Sequence, residues 1–310
     1  MDARSRDLAD LGVPFTRQHF VAAGGAPRTL DRWLSRGLIR PVLYGVYVPA
    51  EVPDDLPLRA KAVSLVLPPG AAVARTTAAW LYGVDVRRPG HHTTVPEVEC
   101  VVPPGCTPIR RPGLHCFTAD LADDVTCIEG LPCTKAPRTA ADLLRWQPPF
   151  MGLGAVDALA HAGVVTVEQV AAELAPLAGH RNVASARQLL AWCEPLTESF
   201  GESWLRLRIL QAGFPRPEAQ VWVPDQDGVP VYRLDLGYRT RRTGVEYDGE
   251  EFHGGELNRL RDERRRDRLA ALGWTVIGVG RGEVLGSSPR LELAIGELLS
   301  LTPRLPRRPW

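Results

Sequence analysis

Three carboxylates in the last third of the chain have types and spacing that could hold a metal ion. Asp235 stands in "VYRLDLGY", and Glu246 and Asp248 stand in "TGVEYDG". Both stretches read as β-strands, and the "RTRRTG" between them reads as a turn. Side chains alternate along a strand, so Glu246 and Asp248 share one face and Val245 and Tyr247 the other. A hairpin then brings Asp235, eleven positions before Glu246, to the same sheet end. Clustered carboxylates repel, and each close pair raises a pKa. A divalent cation relieves that repulsion. Mg2+ (or Mn2+) takes hard oxygen ligands and can activate a bound water against a phosphate ester. The expectation is a metal site built from Asp235, Glu246 and Asp248.

Simpler readings stand beside this one. Glu202 lies in "SFGE", which reads as an S-x-x-E capping box at the start of a helix. Asp235 has Arg239 and Arg241 as alternative ion-pair partners. His253 follows in "EEFHGG" and by itself reads as a turn residue. "RLRDERRRDRL" reads as a solvated helix face with i,i+4 pairs such as Asp262–Arg266; Arg265 is the one singled out among these arginines. Trp274, Val276 and Ile277 read as a core strand.

The elements that must position these groups fall into three zones. In the first, "FTRQHFVAAGG" reads as a short helix with Thr16 as N-cap and Gly24 as stop. "APRTLDRWLSRG" reads as a second helix, with Pro27 in its first turn, an apolar stripe of Leu30, Trp33 and Leu34, and Gly37 at its end. "LIRPVLYGVYV" reads as a hairpin turning at Gly45. Helix, turn, helix, hairpin is the order of a winged helix-turn-helix. Residues 1–50 hold seven Arg against four Asp, a local balance of +3. Once the stripe is turned inward, Arg28, Thr29, Arg32 and Arg36 are left for the outer face, where a recognition helix needs donors for phosphates and base edges. Arg40 opens the hairpin and is a candidate backbone or minor-groove contact.

The middle zone alternates helical stretches ("TTAAWLYGV", "PRTAADLLRW", "AVDALAHAG") with strands ("EVECVVPP", "GLHCFTA"), and catalytic residue types are not concentrated in it. The expected fold is multidomain α/β. A winged helix-turn-helix covers 1–52 and an α/β middle domain 53–194. A restriction-endonuclease-like α/β core, a mixed sheet flanked by helices, covers 195–310.

Bulk properties agree with such a chain. Its 310 residues suffice for two or three domains, and 45% hydrophobic with 24% charged residues is ordinary for a globular protein. The net charge of +1 gives no global argument for a nucleic-acid partner. The start "MDARSRDLADLG" lacks a signal-type apolar core, and no apolar run reaches membrane-spanning length. The six cysteines contain no C-x-x-C pair and read as reduced thiols of a cytoplasmic protein.

Two resemblances extend this reading. An acidic strand pair preceded by a Glu-bearing helix looks like the PD-(D/E)XK nuclease superfamily. Within it, "VEYDGEEFH…RDERRRDRLAALGW" is similar to the very-short-patch-repair-type endonuclease-like domains, through Asp235, Glu246, Asp248, Gly249, His253, Asp262, Arg265, Leu269, Gly273 and Trp274. That resemblance implies a metal-dependent DNA endonuclease. Asp235 and Glu246 would be ligands, Glu202 an accessory acid, His253 a proton carrier or phosphate contact, and His253 or Arg265 an aid to charge on the phosphate. Asp248 occupies the place of the superfamily's usual Lys. The N-terminal segment, with "RPVLYGVYV", resembles the winged-helix domain of type IV toxin–antitoxin antitoxins, and the middle zone looks like the α/β domain that follows it there. This implies promoter DNA and a toxin as partners. The alternative to an endonuclease is therefore an antitoxin-like repressor that keeps an inert nuclease fold.

Overall fold

The computed structural model describes residues 12–90, 94–121, 123–249 and 256–305. They form twelve α-helices and three sheets in two compact units, Met1–Asp142 and Leu143–Trp310. None of the described helices is long and apolar enough to cross a membrane.

The first unit opens with strand β1 (Phe15–Thr16), helices α1 (Arg17–Ala22) and α2 (Pro27–Ser35), and the hairpin β2 (Ile39–Leu43)–β3 (Val46–Pro49). Thr16 caps α1 by accepting the His19 N–H at 3.1 Å, and Pro27 occupies the first turn of α2. Gly37 and Gly45 end that helix and turn that hairpin at φ +67° and +76°, where a β-carbon would be strained. Phe15, Phe20, Leu30, Trp33 and Ile39 make a small core, with the Phe20 and Trp33 rings edge to face at 5.3 Å. Leu34, expected in that stripe, is 38% exposed. β1 was not legible in advance; it pairs with β3 and completes the sheet β1-β3-β2.

Helix α3 (Leu56–Ser64) leads into a six-stranded mixed sheet, whose strands are β4 (Ala72–Val73), β5 (Val98–Val102), β6 (Arg110–Arg111), β7 (Leu114–Thr118), β8 (Val125–Ile128) and β9 (Leu131–Thr134). Their order is β6-β7-β5-β4-β9-β8, with β5–β7 and β4–β9 parallel. Helix α4 (Arg75–Leu81) packs on it. Val42, Leu43, Val46 and Val48 of the first hairpin share one core with Leu58, Val63, Val73, Trp80, Cys100 and Cys133. The hairpin thus belongs to two cores, and chain position 52 is not a break in packing.

Helix α5 (Ala136–Trp146) contains the division between the units. The second unit continues with α6 (Pro149–His161), α7 (Val167–Leu174), α8 (Val183–Ala191) and α9 (Phe200–Gln211). Composition changes near position 195, but α6 already packs against α9: Trp204 Nε1 donates to the Phe150 carbonyl at 3.0 Å. Asp157 of α6 pairs with Arg206 of α9, and both are at most 1% exposed. The sheet consists of β10 (Glu218–Pro224), β11 (Pro230–Tyr238), β12 (Thr243–Asp248) and β13 (Thr275–Gly280), in that order. The first three strands are an antiparallel meander, and α10 (Glu256–Ala271) returns the chain so that β13 runs parallel to β12. Helices α11 (Arg281–Leu285) and α12 (Arg290–Leu299) follow. Val221, Val223, Leu234, Leu269 and Trp274 form the core of this unit's sheet. β10 was not anticipated, although Val221, Trp222 and Val223 alternate buried, exposed and buried as a strand should.

Candidate functional site

The paired strands place the predicted acids. Leu236 faces Val245 and Gly237 faces Gly244, so the next step along the same register sets Asp235 opposite Glu246. There the backbone ladder gives way to a side chain: the Tyr247 N–H donates to Asp235 Oδ2 at 2.8 Å. Burial, followed by repulsion from Glu202 and Glu246, raises the Asp235 carboxyl to about 6; the Tyr247 N–H and the Arg265 cation oppose the rise. Asp235, Glu202 and Glu246 are therefore near enough to feel one another, although α9, β11 and β12 supply them separately.

Glu246 is compensated by a guanidinium. Arg265 donates from Nη1 at 2.6 Å and Nη2 at 2.7 Å to its two carboxylate oxygens, the fork geometry characteristic of arginine. Arg265 Nη2 also donates to the Arg233 carbonyl at 3.0 Å, and the guanidinium lies 5.8 Å from the Tyr232 ring centre. Local sequence explains why Arg265 reaches the sheet. It lies one helical turn before Leu269, which is 1% exposed in the sheet core, so both project toward the strands. The helix closes when Gly273 N–H and Trp274 N–H donate back to Ala270 and Leu269 carbonyls, both at 2.9 Å, with Gly273 at φ +79°. Leu269, Gly273 and Trp274 of the C-terminal motif are thus packing and capping residues.

Glu202 serves the helix end and the cluster together. Ser199 caps α9 by accepting the Glu202 N–H at 3.2 Å. The Glu202 carboxylate accepts from the Glu198 N–H at 3.1 Å, one residue before the expected cap partner, and from Gln220 Nε2 at 2.8 Å. Burial pushes its carboxyl above the usual range. Gln220 was missed by sequence reading. Its backbone is left-handed, at φ +52° in mid-strand, and its Oε1 is a buried acceptor without a hydrogen-bond partner. Such strained positions concentrate at functional sites, but a lone Gln in a strand gives no sequence signal.

Asp248 goes elsewhere. It is exposed, and its Oδ2 lies 2.3 Å from where a Gly278 Cβ would stand, over β13. Of the two arginines that were alternative partners for Asp235, Arg239 bonds Glu218 instead, at 2.7 Å. His253 and the side chain of Asp262 lie outside the described residues. Among the described residues, no group of three or more His, Cys, Asp or Glu is arranged to hold a metal ion. Repulsion at Asp235 reports nearby acids, yet both oxygens of Glu246 are taken by Arg265 and one oxygen of Asp235 by a backbone N–H. As arranged, these residues do not fit a resident Mg2+ or Mn2+.

At the other end of the chain, Arg28, Arg32 and Arg36 recur every fourth residue along and just past α2, and all are exposed, forming one stripe opposite buried Leu30 and Trp33. Asp31, the acid within that stretch, is neutralised by Arg17 of α1. Thr29 is half-buried. Arg40 is turned inward, with Nη2 donating to the Val52 carbonyl at 2.8 Å.

Residues 71–192 match the family model of the AbiEi antitoxin C-terminal domain. Two uncharacterized proteins of Mycobacterium tuberculosis, from strains CDC 1551 / Oshkosh and ATCC 25618 / H37Rv, are each 29% identical over 264 residues, which is 85% of this chain and 93% of theirs. The middle of the chain is thus similar to an antitoxin domain, and most of its length resembles mycobacterial proteins.

Proposed function

We propose that this protein is an antitoxin-like, DNA-binding regulator. The observation that carries the reading is the match of residues 71–192 to an antitoxin domain, preceded, across helix α3, by a helix pair and hairpin that present Arg28, Arg32 and Arg36 on one exposed stripe. In this reading residues 1–52 act as a winged helix-turn-helix. The three arginines contact phosphates and base edges, Thr29 lies beside them, and Arg40 braces the hairpin. A toxin protein is the second partner. The test is a mobility-shift titration with the DNA upstream of the protein's own coding sequence. Replacing Arg28, Arg32 and Arg36 by Ala should weaken binding and flatten the dependence of log K on log salt by about 0.9 for each phosphate no longer neutralised. An unchanged salt slope in the triple variant would sink the assignment of α2.

A second reading, a metal-dependent DNA endonuclease of restriction-endonuclease-like fold, is favoured by one observation. Helix α9, the meander β10–β11–β12, α10 and parallel β13 bring Glu202, Asp235 and Glu246 into one electrostatic neighbourhood. It assigns Mg2+ (or Mn2+) to Asp235 and Glu246, with Asp248 as a further ligand and His253 and Arg265 as aids. The fork on Glu246 argues against it, so no step is derived through the ion. Supercoiled plasmid incubated with the protein and Mg2+ or Mn2+ separates the two readings. Nicking that disappears in Glu246→Gln would establish the endonuclease; a mobility shift without nicking supports the regulator.

A further inference from the structure

The geometry points to Arg265 as the built-in counter-cation of the acidic cluster: its guanidinium stands where a divalent ion would, and the cluster takes up such an ion only when the fork leaves Glu246. Three anchors hold the fork. They are both Glu246 oxygens, the Arg233 carbonyl at 3.0 Å, and the Tyr232 ring at 5.8 Å. Leu269, packed one turn further along the same helix, fixes the direction from which Arg265 arrives. The pair is partly screened from water, with side-chain exposures of 33% for Arg265 and 17% for Glu246, so it is stronger than an open surface ion pair.

The surroundings retain oxygen donors that the guanidinium does not use. Gln220 Oε1 is buried and accepts no hydrogen bond, while the same amide's Nε2 holds Glu202. Gln220 lies between the pairs Ala219–Leu236 and Val221–Leu234, and so opposite Asp235. An uncharged oxygen next to carboxylates is the hard donor set that Mg2+ and Mn2+ accept. Arginine cannot be deprotonated to release the site, since its pKa lies far above neutrality. Release therefore needs the side chain to move or to be replaced.

The experiment uses the full chain and Mn2+ alone, with the free-ion electron paramagnetic resonance signal as readout, so it is independent of DNA binding and of cleavage. Wild type should show only weak uptake. Arg265→Gln should acquire one site at least about tenfold tighter, the equivalent of one power of ten in the binding constant. The double variant Arg265→Gln/Glu246→Gln should lose that site. Should Arg265→Gln fail to fold, Arg265→Met, which keeps an unbranched stem against Tyr232, is read in the same way. Equal uptake by wild type and the Arg265 variant would overturn the proposal. So would a variant that binds no ion, or a double variant that keeps the site.

Discussion

Asp235→Asn isolates the cost of the buried carboxylate. The variant keeps the size of the side chain and an oxygen for the Tyr247 N–H, but removes the charge. Asp235 has its folded pKa raised from 3.8 to about 6, which corresponds to about 3 kcal/mol between its two protonation states. The raised value means that the folded state holds the proton more tightly than the unfolded chain. The stabilising contribution is therefore complete below pH 3.8 and is lost as pH rises through about 6. Between pH 5 and 7 the loss is about 1.3 kcal/mol. The variant has no such titration. Wild type should thus fall by that amount relative to Asp235→Asn across this range, or about 3–5 °C in Tm for a unit of this size. Paired thermal melts at half-unit pH steps read the difference directly. Parallel profiles, or a wild type that gains on the variant as pH rises, would refute the placement of Asp235 in an acid-rich, partly dry pocket.

Three other perturbations probe the supports of the site. Asp157→Ala strands the buried Arg206 guanidinium and should cost about 3–5 kcal/mol in urea unfolding. Gly201→Ala puts a Cβ 2.0 Å from the Tyr247 ring; the clash, about 1–3 kcal/mol, should outweigh the helix propensity gained, about 1 kcal/mol, and a variant more stable than wild type in denaturant would contradict the packing of β12 on α9. Arg40→Ala removes the bond to the Val52 carbonyl and should lower stability by about 1 kcal/mol, with the salt slope of DNA binding unchanged in mobility-shift titrations.

The sequence by itself determined the local elements. Thr16, Pro27, Gly37, Gly45 and Gly273 act within a turn or two of themselves, through caps, fixed φ and left-handed backbone, so their effects are written in adjacent residues. The pairing of Asp235 with Glu246 was also legible, because strand alternation and a short turn leave few registers. Tertiary structure alone decided how those acids are neutralised. Arg265 is nineteen positions from Glu246 on a helix whose charged sequence reads as a solvated face, and its partner is chosen by how Leu269 docks on the sheet. Gln220 became part of the cluster through the pairing of β10 with β11, which sets it opposite Asp235. The outward turn of Asp248, the burial of Arg206 on Asp157 and the hairpin shared between two cores likewise depend on contacts between distant segments. Sequence periodicity reports which face of an element is apolar; it carries no information on which charge from another element comes to rest against it.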